Sequence, residues 1–121
     1  MKNDSKKYYC PIDVTIKTIG GKWKPIILHH LLSGTKRFGE LKKMTPDITQ
    51  KMLTQQLREL ENDKLIIRKV YAVVPPKVEY TLTEYGLSLK SVLTELSLWG
   101  IEHSNRNNLT IEKTVHNNGY K

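Results

Sequence analysis

The sequence predicts an α+β, mainly helical chain in the order α-α-β-α-α-β-β-α, closing on a long C-terminal helix. Three observations carry that prediction. Between residues 39 and 61 a short helix, a tight turn and a longer amphipathic helix follow one another. Two β-rich segments separated by Pro75-Pro76 come next, and a long apolar helical pattern begins at Thr83. A helix-turn-helix followed directly by a hairpin is a winged helix-turn-helix. The length of 121 residues fits one domain spanning 1–121. Within it, 1–9 read as a basic arm and 104–121 as a polar, Asn-rich tail left without assigned structure.

The first helix is predicted from Pro11, whose fixed φ suits the first helical position, with Cys10 at the N-cap and Asp13 in the first turn. Ile12, Ile16 and Ile19 repeat at helical spacing, and Gly20-Gly21 ends the run. Pro25 opens a second helix, broadly apolar through Ile26, Ile27, Leu28, Leu31 and Leu32, with Ser33-Gly34 as its stop. A short strand over residues 35–38 and a short helix over residues 39–44 lead to the turn Thr45-Pro46-Asp47. Thr49 is the expected cap of the next helix.

That helix carries the sharpest division of chemistry in the chain. At about 100° per residue, Met52, Leu53, Leu57 and Leu60 share one face. Gln50, Lys51, Thr54, Gln55 and Arg58 share the other, without an acid among them. Gln pairs with adenine, Arg and Lys with guanine, and Thr bonds a base or packs its methyl on thymine. The apolar face docks on a core and the polar face suits a major groove; a plain solvated face is the alternative for the same pattern. Residues 65–74 and 78–82 then read as two strands of a hairpin, with Arg68, Lys69 and Lys77 placed to reach phosphates.

After Thr83 one continuous helix is expected. Tyr85, Leu89, Val92, Leu93, Leu96 and Trp99 form one apolar stripe, and Leu87, Leu98 and Ile101 a second. Two stripes exceed what packing on one small domain needs, and the excess reads as a dimer interface. Leu87, Leu98 and Ile101, with Ile12 and Ile16 of the first helix, are its expected residues.

Net charge is +8 and the pI about 9.6, which calls for a polyanion partner. The charge is unevenly placed. Residues 1–24 carry six Lys and two Asp; residues 36–77 carry ten basic and five acidic groups; residues 78–121 carry four basic and five acidic groups. The positive two thirds contain the helix-turn-helix and the hairpin. Lys36, Arg37, Lys42 and Lys43, just before the reading helix, are candidate phosphate anchors alongside the hairpin cations, with solubility as the alternative role.

One cysteine excludes an intrachain disulfide, and no secretory or membrane-length apolar run is present. A cytoplasmic protein without a membrane partner is expected. Four His and one Cys show no metal-ligand spacing, and the adjacent His29 and His30 are expected to point apart. Gly20-Gly21-Lys22 lacks the rest of a phosphate loop. No metal, cofactor or enzymatic activity is expected.

Several separate motifs coincide with a known family. Cys10-Pro11, IGGKW at 19–23, RFGEL at 37–41, ITQKMLTQQLREL at 48–60 and PPKVEYTLTEYG at 75–86 occur in the order and spacing of the HxlR-type bacterial transcription regulators, relatives of the MarR group. The resemblance covers roughly residues 8–103. It implies a homodimer that binds a palindromic or near-palindromic double-stranded DNA operator. In several members a cysteine in the position of Cys10 senses electrophiles or oxidants. In this sequence that thiol sits at a helix N-terminus near Lys6 and Lys7, which favours a thiolate, with Asp13 opposing. The competing functions are a non-specific architectural DNA binder and a winged-helix module for protein interaction.

Overall fold

The structure, a computed structural model, describes residues 7–112. Its elements are α1 (Pro11–Ile19), α2 (Lys24–Leu31), β1 (Lys36–Arg37), α3 (Phe38–Met44), α4 (Gln50–Asn62), β2 (Ile66–Tyr71), β3 (Lys77–Leu82), α5 (Glu84–Leu87) and α6 (Lys90–Arg106). The three strands are antiparallel in the order β1-β3-β2. This is the predicted winged helix-turn-helix, with one difference at its end.

The local signals act where the sequence places them. Cys10 is the N-cap of α1 and Pro11 its first residue. Gly21 takes a φ of 92°, a conformation that a side chain disfavours, in the turn between α1 and α2. Thr49 caps α4 by accepting a hydrogen bond from the Met52 amide at 3.0 Å. The second helix stops at Leu31, before the Ser33-Gly34 turn, because the last amides shift to three-residue spacing: Leu32 N–H donates to His29 O and Gly34 N–H to Leu31 O.

The core gathers Ile27, Leu28 and Leu31 of α2, Leu41 of α3, Leu53, Leu57 and Leu60 of α4, Ile66 and Tyr80 of the sheet, and Leu93 of α6. The apolar face of α4 is therefore consumed within the chain. Helix α1 contributes only Ile19, while Ile12, Val14 and Ile16 are exposed.

The expected single C-terminal helix is two. Thr83 caps α5, accepting from the Gly86 amide at 2.8 Å while its own hydroxyl donates to the Lys64 carbonyl at 2.7 Å. This bond pins the first turn to the end of α4. Gly86 is buried with its α-carbon so close to the Leu65 carbonyl that a Cβ there would collide with it. Ser88 then bonds its hydroxyl to the Tyr85 carbonyl, competing with helical pairing, and α6 starts afresh at Lys90. Helix α6 passes through Gly100 and continues to Arg106, three residues into the segment read as tail. Residues 107–112 form no helix or strand, and the remainder of the tail, like most of the basic arm, lies outside the described residues.

The apolar stripes of this region divide differently from expectation. Leu93 is buried and Leu89 packs against the core, but Tyr85, Leu87, Val92, Leu96, Leu98 and Trp99 are all exposed. Between α6 and Pro25, Ile26, His29 and His30 of α2 lies a cavity of ≈ 350 Å³, whose α6 wall beyond Leu93 is made by Leu96, Ser97, Gly100, Ile101 and Ser104. Both histidines, adjacent on α2, border that one space. Burial holds the His29 imidazole below its ordinary pKa.

Candidate nucleic-acid interface

Helix α4 presents Gln50, Lys51, Thr54, Gln55 and Arg58 around one surface concavity of ≈ 600 Å³. Their opposite neighbours on the helix, Leu53, Leu57 and Leu60, are buried, so the presenting face is fixed by the core. The hydrogen bonds on this face define what each side chain has left to offer. Thr54 donates its hydroxyl hydrogen to the Gln50 carbonyl at 2.9 Å, which leaves an acceptor oxygen and a methyl outward. Thr49 is exposed, and its oxygen already accepts the capping bond. Gln55 Nε2 donates to Glu59 Oε2 at 3.2 Å. Gln56 turns inward and donates to the Met52 sulfur at 3.4 Å. Lys51 and Arg58 are exposed.

A second concavity of ≈ 500 Å³ lies between α4 and the sheet, with Arg58 and Glu61 on one wall and Arg68 and Tyr80 on the other. The strand register explains why Arg68 is there. Arg68 pairs with Tyr80, Ile66 with Leu82 and Val70 with Val78, which places all six on the face turned toward α4. Lys69 pairs with Glu79 and Tyr71 with Lys77 on the other face. The hairpin cations, grouped as one set in the sequence, thus stand on two sides of the sheet. Lys69 and Lys77 both lie over the Tyr71 ring, with Nζ 5.6 and 4.6 Å from its centroid. Lys77 is also 3.8 Å from the Glu79 carboxylate.

The cations ahead of α4 differ among themselves. Arg37 is exposed at the N-cap of α3, where its backbone amide donates to Glu40 Oε1 at 2.8 Å. Lys42 and Lys43 are exposed in the last turn of α3. Lys36 is folded back: its ammonium donates to Ser33 Oγ at 2.9 Å and to the Gly34 carbonyl at 3.2 Å. Its charge serves the turn after α2 instead of extending outward.

Cys10 lies away from this face, exposed, as the N-cap of α1 without a side-chain cap bond. The Asp13 carboxylate beside it is already engaged. It accepts from the Tyr9 amide and from Lys17 Nζ, each at 3.0 Å. These two contacts, the backbone one first, hold Asp13 below its ordinary pKa.

One connection escaped the sequence reading. Lys24, the first residue of α2, reaches Glu59 of α4 at 2.7 Å, and the Lys24 side chain is largely buried in doing so. Nothing in the spacing of positions 24 and 59 announces the pair; only the fold, which brings the start of α2 within reach of Glu59, creates it. Among the described residues no cluster of His, Cys, Asp and Glu is arranged to hold a metal ion, and no helix is long and apolar enough to cross a membrane.

Comparison with known proteins agrees with this geometry. A family model described as HxlR-like helix-turn-helix matches residues 18–108. The HTH-type transcriptional regulator YtcD of Bacillus subtilis (strain 168) is 58% identical over 103 residues, covering 85% of this chain and 82% of the relative. The crystal structure of an HTH-type regulator ytcD superposes with a TM-score of 0.75 at 58% identity, covering 79% of this chain and 98% of that one. The redox regulator HypR in its oxidized form superposes with a TM-score of 0.75 at 50% identity, covering 77% of this chain and 96% of that one. The chain belongs to the HxlR-like helix-turn-helix family and carries the DNA-binding fold of transcriptional regulators.

Proposed function

We propose that the protein is a sequence-specific regulator that binds a palindromic or near-palindromic double-stranded DNA operator as a homodimer. The observation that carries this reading is the outward face of α4. Gln50, Lys51, Thr54, Gln55 and Arg58 converge there, on a helix whose other face is locked in the core. In a helix-turn-helix such a face enters the major groove, N-terminal end deepest. Thr49 and the first amides of α4 then meet a phosphate. Arg37, Lys43, Arg68, Lys69 and Lys77 line the approach as backbone contacts, with Lys36 in reserve on its turn.

Dimerisation follows from what the single chain leaves uncovered. Ile12 and Ile16 of α1, and Leu87, Leu96, Leu98 and Trp99 towards the C-terminus, are exposed and Ile101 is half-buried, more apolar surface than a monomer needs to leave open. A two-fold dimer would cover it and present two copies of α4 to an inverted repeat. The test is recovery and sequencing of genomic fragments bound by the purified protein. One enriched inverted repeat is expected; enrichment no better than random fragments overturns the reading and favours an architectural binder or an interaction module.

A second reading concerns the signal. Cys10 is exposed at the N-terminus of α1, the helix whose apolar face is open, and the similar HypR is named a redox regulator. An oxidant or electrophile acting on Cys10 would switch operator binding. With one thiol per chain, a disulfide at Cys10 joins it to its copy in the dimer or to a small thiol, two electrons and two protons passing to the oxidant. Operator release on oxidation, abolished in Cys10→Ser, is the expected result; release that persists in Cys10→Ser removes the thiol from the mechanism.

A further inference from the structure

The polar face of α4 contains a constraint that the list of base-reading residues does not express. Gln55 is exposed on that face, and its Nε2 is drawn back to Glu59 Oε2 at 3.2 Å, one helical turn toward the C-terminus. The other carboxylate oxygen, Oε1, is held at 2.7 Å by Lys24. Each oxygen of Glu59 thus has one partner, and the carboxylate is clamped between a buried-stem ammonium from α2 and the amide it orients. Lys24 first, and Gln55 second, hold Glu59 below its ordinary pKa, so it stays an anion and an obligate acceptor near neutrality. Among the described residues no donor reaches Gln55 Oε1.

A free glutamine can turn its amide over and offer either end. Gln55 cannot do so without placing its oxygen against the Glu59 carboxylate, two acceptors in repulsion. The end left for a ligand is the carbonyl oxygen. In the major groove the groups that donate to an oxygen are the N6 amine of adenine and the N4 amine of cytosine, whereas guanine O6 and N7 and thymine O4 only accept. The second Nε2 hydrogen, on the oxygen's side of the amide, stays available for adenine N7. Resting on the DNA-binding reading above, we infer that Glu59, anchored by Lys24, is a positioning residue for sequence recognition: it presents the Gln55 oxygen to the groove and restricts the contacted base to adenine or cytosine. The Lys24–Glu59–Gln55 line also runs from the start of α2 to the reading surface. Sequence choice at this one position therefore depends on a residue that need not touch the operator.

The test is a panel of every single base-pair substitution in the selected operator, measured with the full-length wild type, Gln55→Ala, Glu59→Gln and Lys24→Met. Gln55→Ala marks the base pair that Gln55 reads. Wild type should prefer one base pair there by at least about tenfold, and should lose that preference when the N6 amine of its adenine or the N4 amine of its cytosine is replaced by hydrogen. Glu59→Gln keeps the shape but can donate as well as accept, so the Gln55 amide is free to turn over. Discrimination at the marked position should fall about tenfold, with the other positions unchanged. Lys24→Met should soften the same position and is the deciding variant if Glu59→Gln does not fold. Removing the acid also removes a negative charge near DNA. If that were its whole effect, Glu59→Gln would tighten binding to every sequence alike, and that result overturns the proposal. So does a preference at the marked position that survives removal of the exocyclic amine from its adenine or cytosine, or a Gln55→Ala profile altered nowhere. A wild type that selects no operator at all defeats the DNA-binding reading and this one with it; a selected operator with an unchanged Glu59→Gln profile defeats this one alone.

Discussion

Helices α4 and α6 are the two longest helices among the described residues, and they use their faces in opposite ways. On α4 the apolar residues Leu53, Leu57 and Leu60 are buried and the polar ones face out. On α6 only Leu93 is buried, Ser97, Gly100, Ile101 and Ser104 border the cavity beside α2, and Val92, Leu96, Leu98 and Trp99 are exposed. The first helix is satisfied within one chain and offers hydrogen-bonding groups to a polar partner. The second spends little apolar surface internally and offers the rest. A helix's outward chemistry, not its amphipathicity alone, tells which kind of partner it awaits.

That contrast can be broken most severely at α4. Leu57→Ala should destabilise the fold by about 2–5 kcal/mol, as for a fully buried leucine, read as a lowered denaturation midpoint, and DNA binding should fall with it. Leu96→Ala, on the exposed face of α6, should leave the unfolding of the dissociated chain within about 0.5 kcal/mol of wild type. A charge at the same place, Leu96→Asp, should instead dissociate the dimer in sedimentation and weaken operator binding by at least about tenfold, since one chain then holds one half-site. A variant that stays dimeric would move the interface away from α6.

Arg58→Ala sharpens the comparison at the polar face. A contact to guanine predicts a loss of about 1–3 kcal/mol on the operator and little on random DNA. Equal loss on both would assign Arg58 to a phosphate, a role its place beside Arg68 in the cleft between α4 and the sheet would also allow. The smallest expected effect is a pH dependence. Glu59 titrates lower in the fold than its ordinary 4.5 because Lys24 and Gln55 bond its anion. The unfolded chain therefore takes up the proton first. The pair's contribution to stability is full above about pH 4.5 and fades as pH falls through the folded pKa. Thermal melts of wild type and Lys24→Met should differ near neutrality and converge in acid; an undiminished difference would show that the ammonium acts through packing.

Most of the architecture was legible because its signals are local. Pro11, Gly21 and Thr49 act through their own backbone or side chain within a few residues, and the period of α4 shows its buried face directly. The break between α5 and α6 was not legible. It depends on Thr83 bonding the Lys64 carbonyl and on Gly86 lying against Leu65, contacts across about twenty positions of sequence. The cavity beside α2 was hidden for a similar reason. The two expected apolar stripes leave out Ser97, Gly100 and Ser104, whereas the fold sets them along the cavity wall. At the reading surface the sequence grouped the five side chains of α4 but could not see which hydrogen bonds each had already made. The Lys24–Glu59 pair exists only once the fold brings positions 24 and 59 together.

The sheet order has a consequence for handling the protein in concentrated solution. With β3 in the middle and β1 only two residues long, β2 presents an open edge. Ile67 and Val70 are exposed on it, and such a strand is a template for a neighbouring chain to add on. Arg68 and Lys69 sit between those two apolar residues, and the like charges of an approaching copy oppose the pairing. The hairpin cations, proposed above as phosphate contacts, thereby also act as gatekeepers against aggregation. Neutralising both at once would cost colloidal stability, so loss of DNA binding in such a double variant must be read on freshly sized, monodisperse protein.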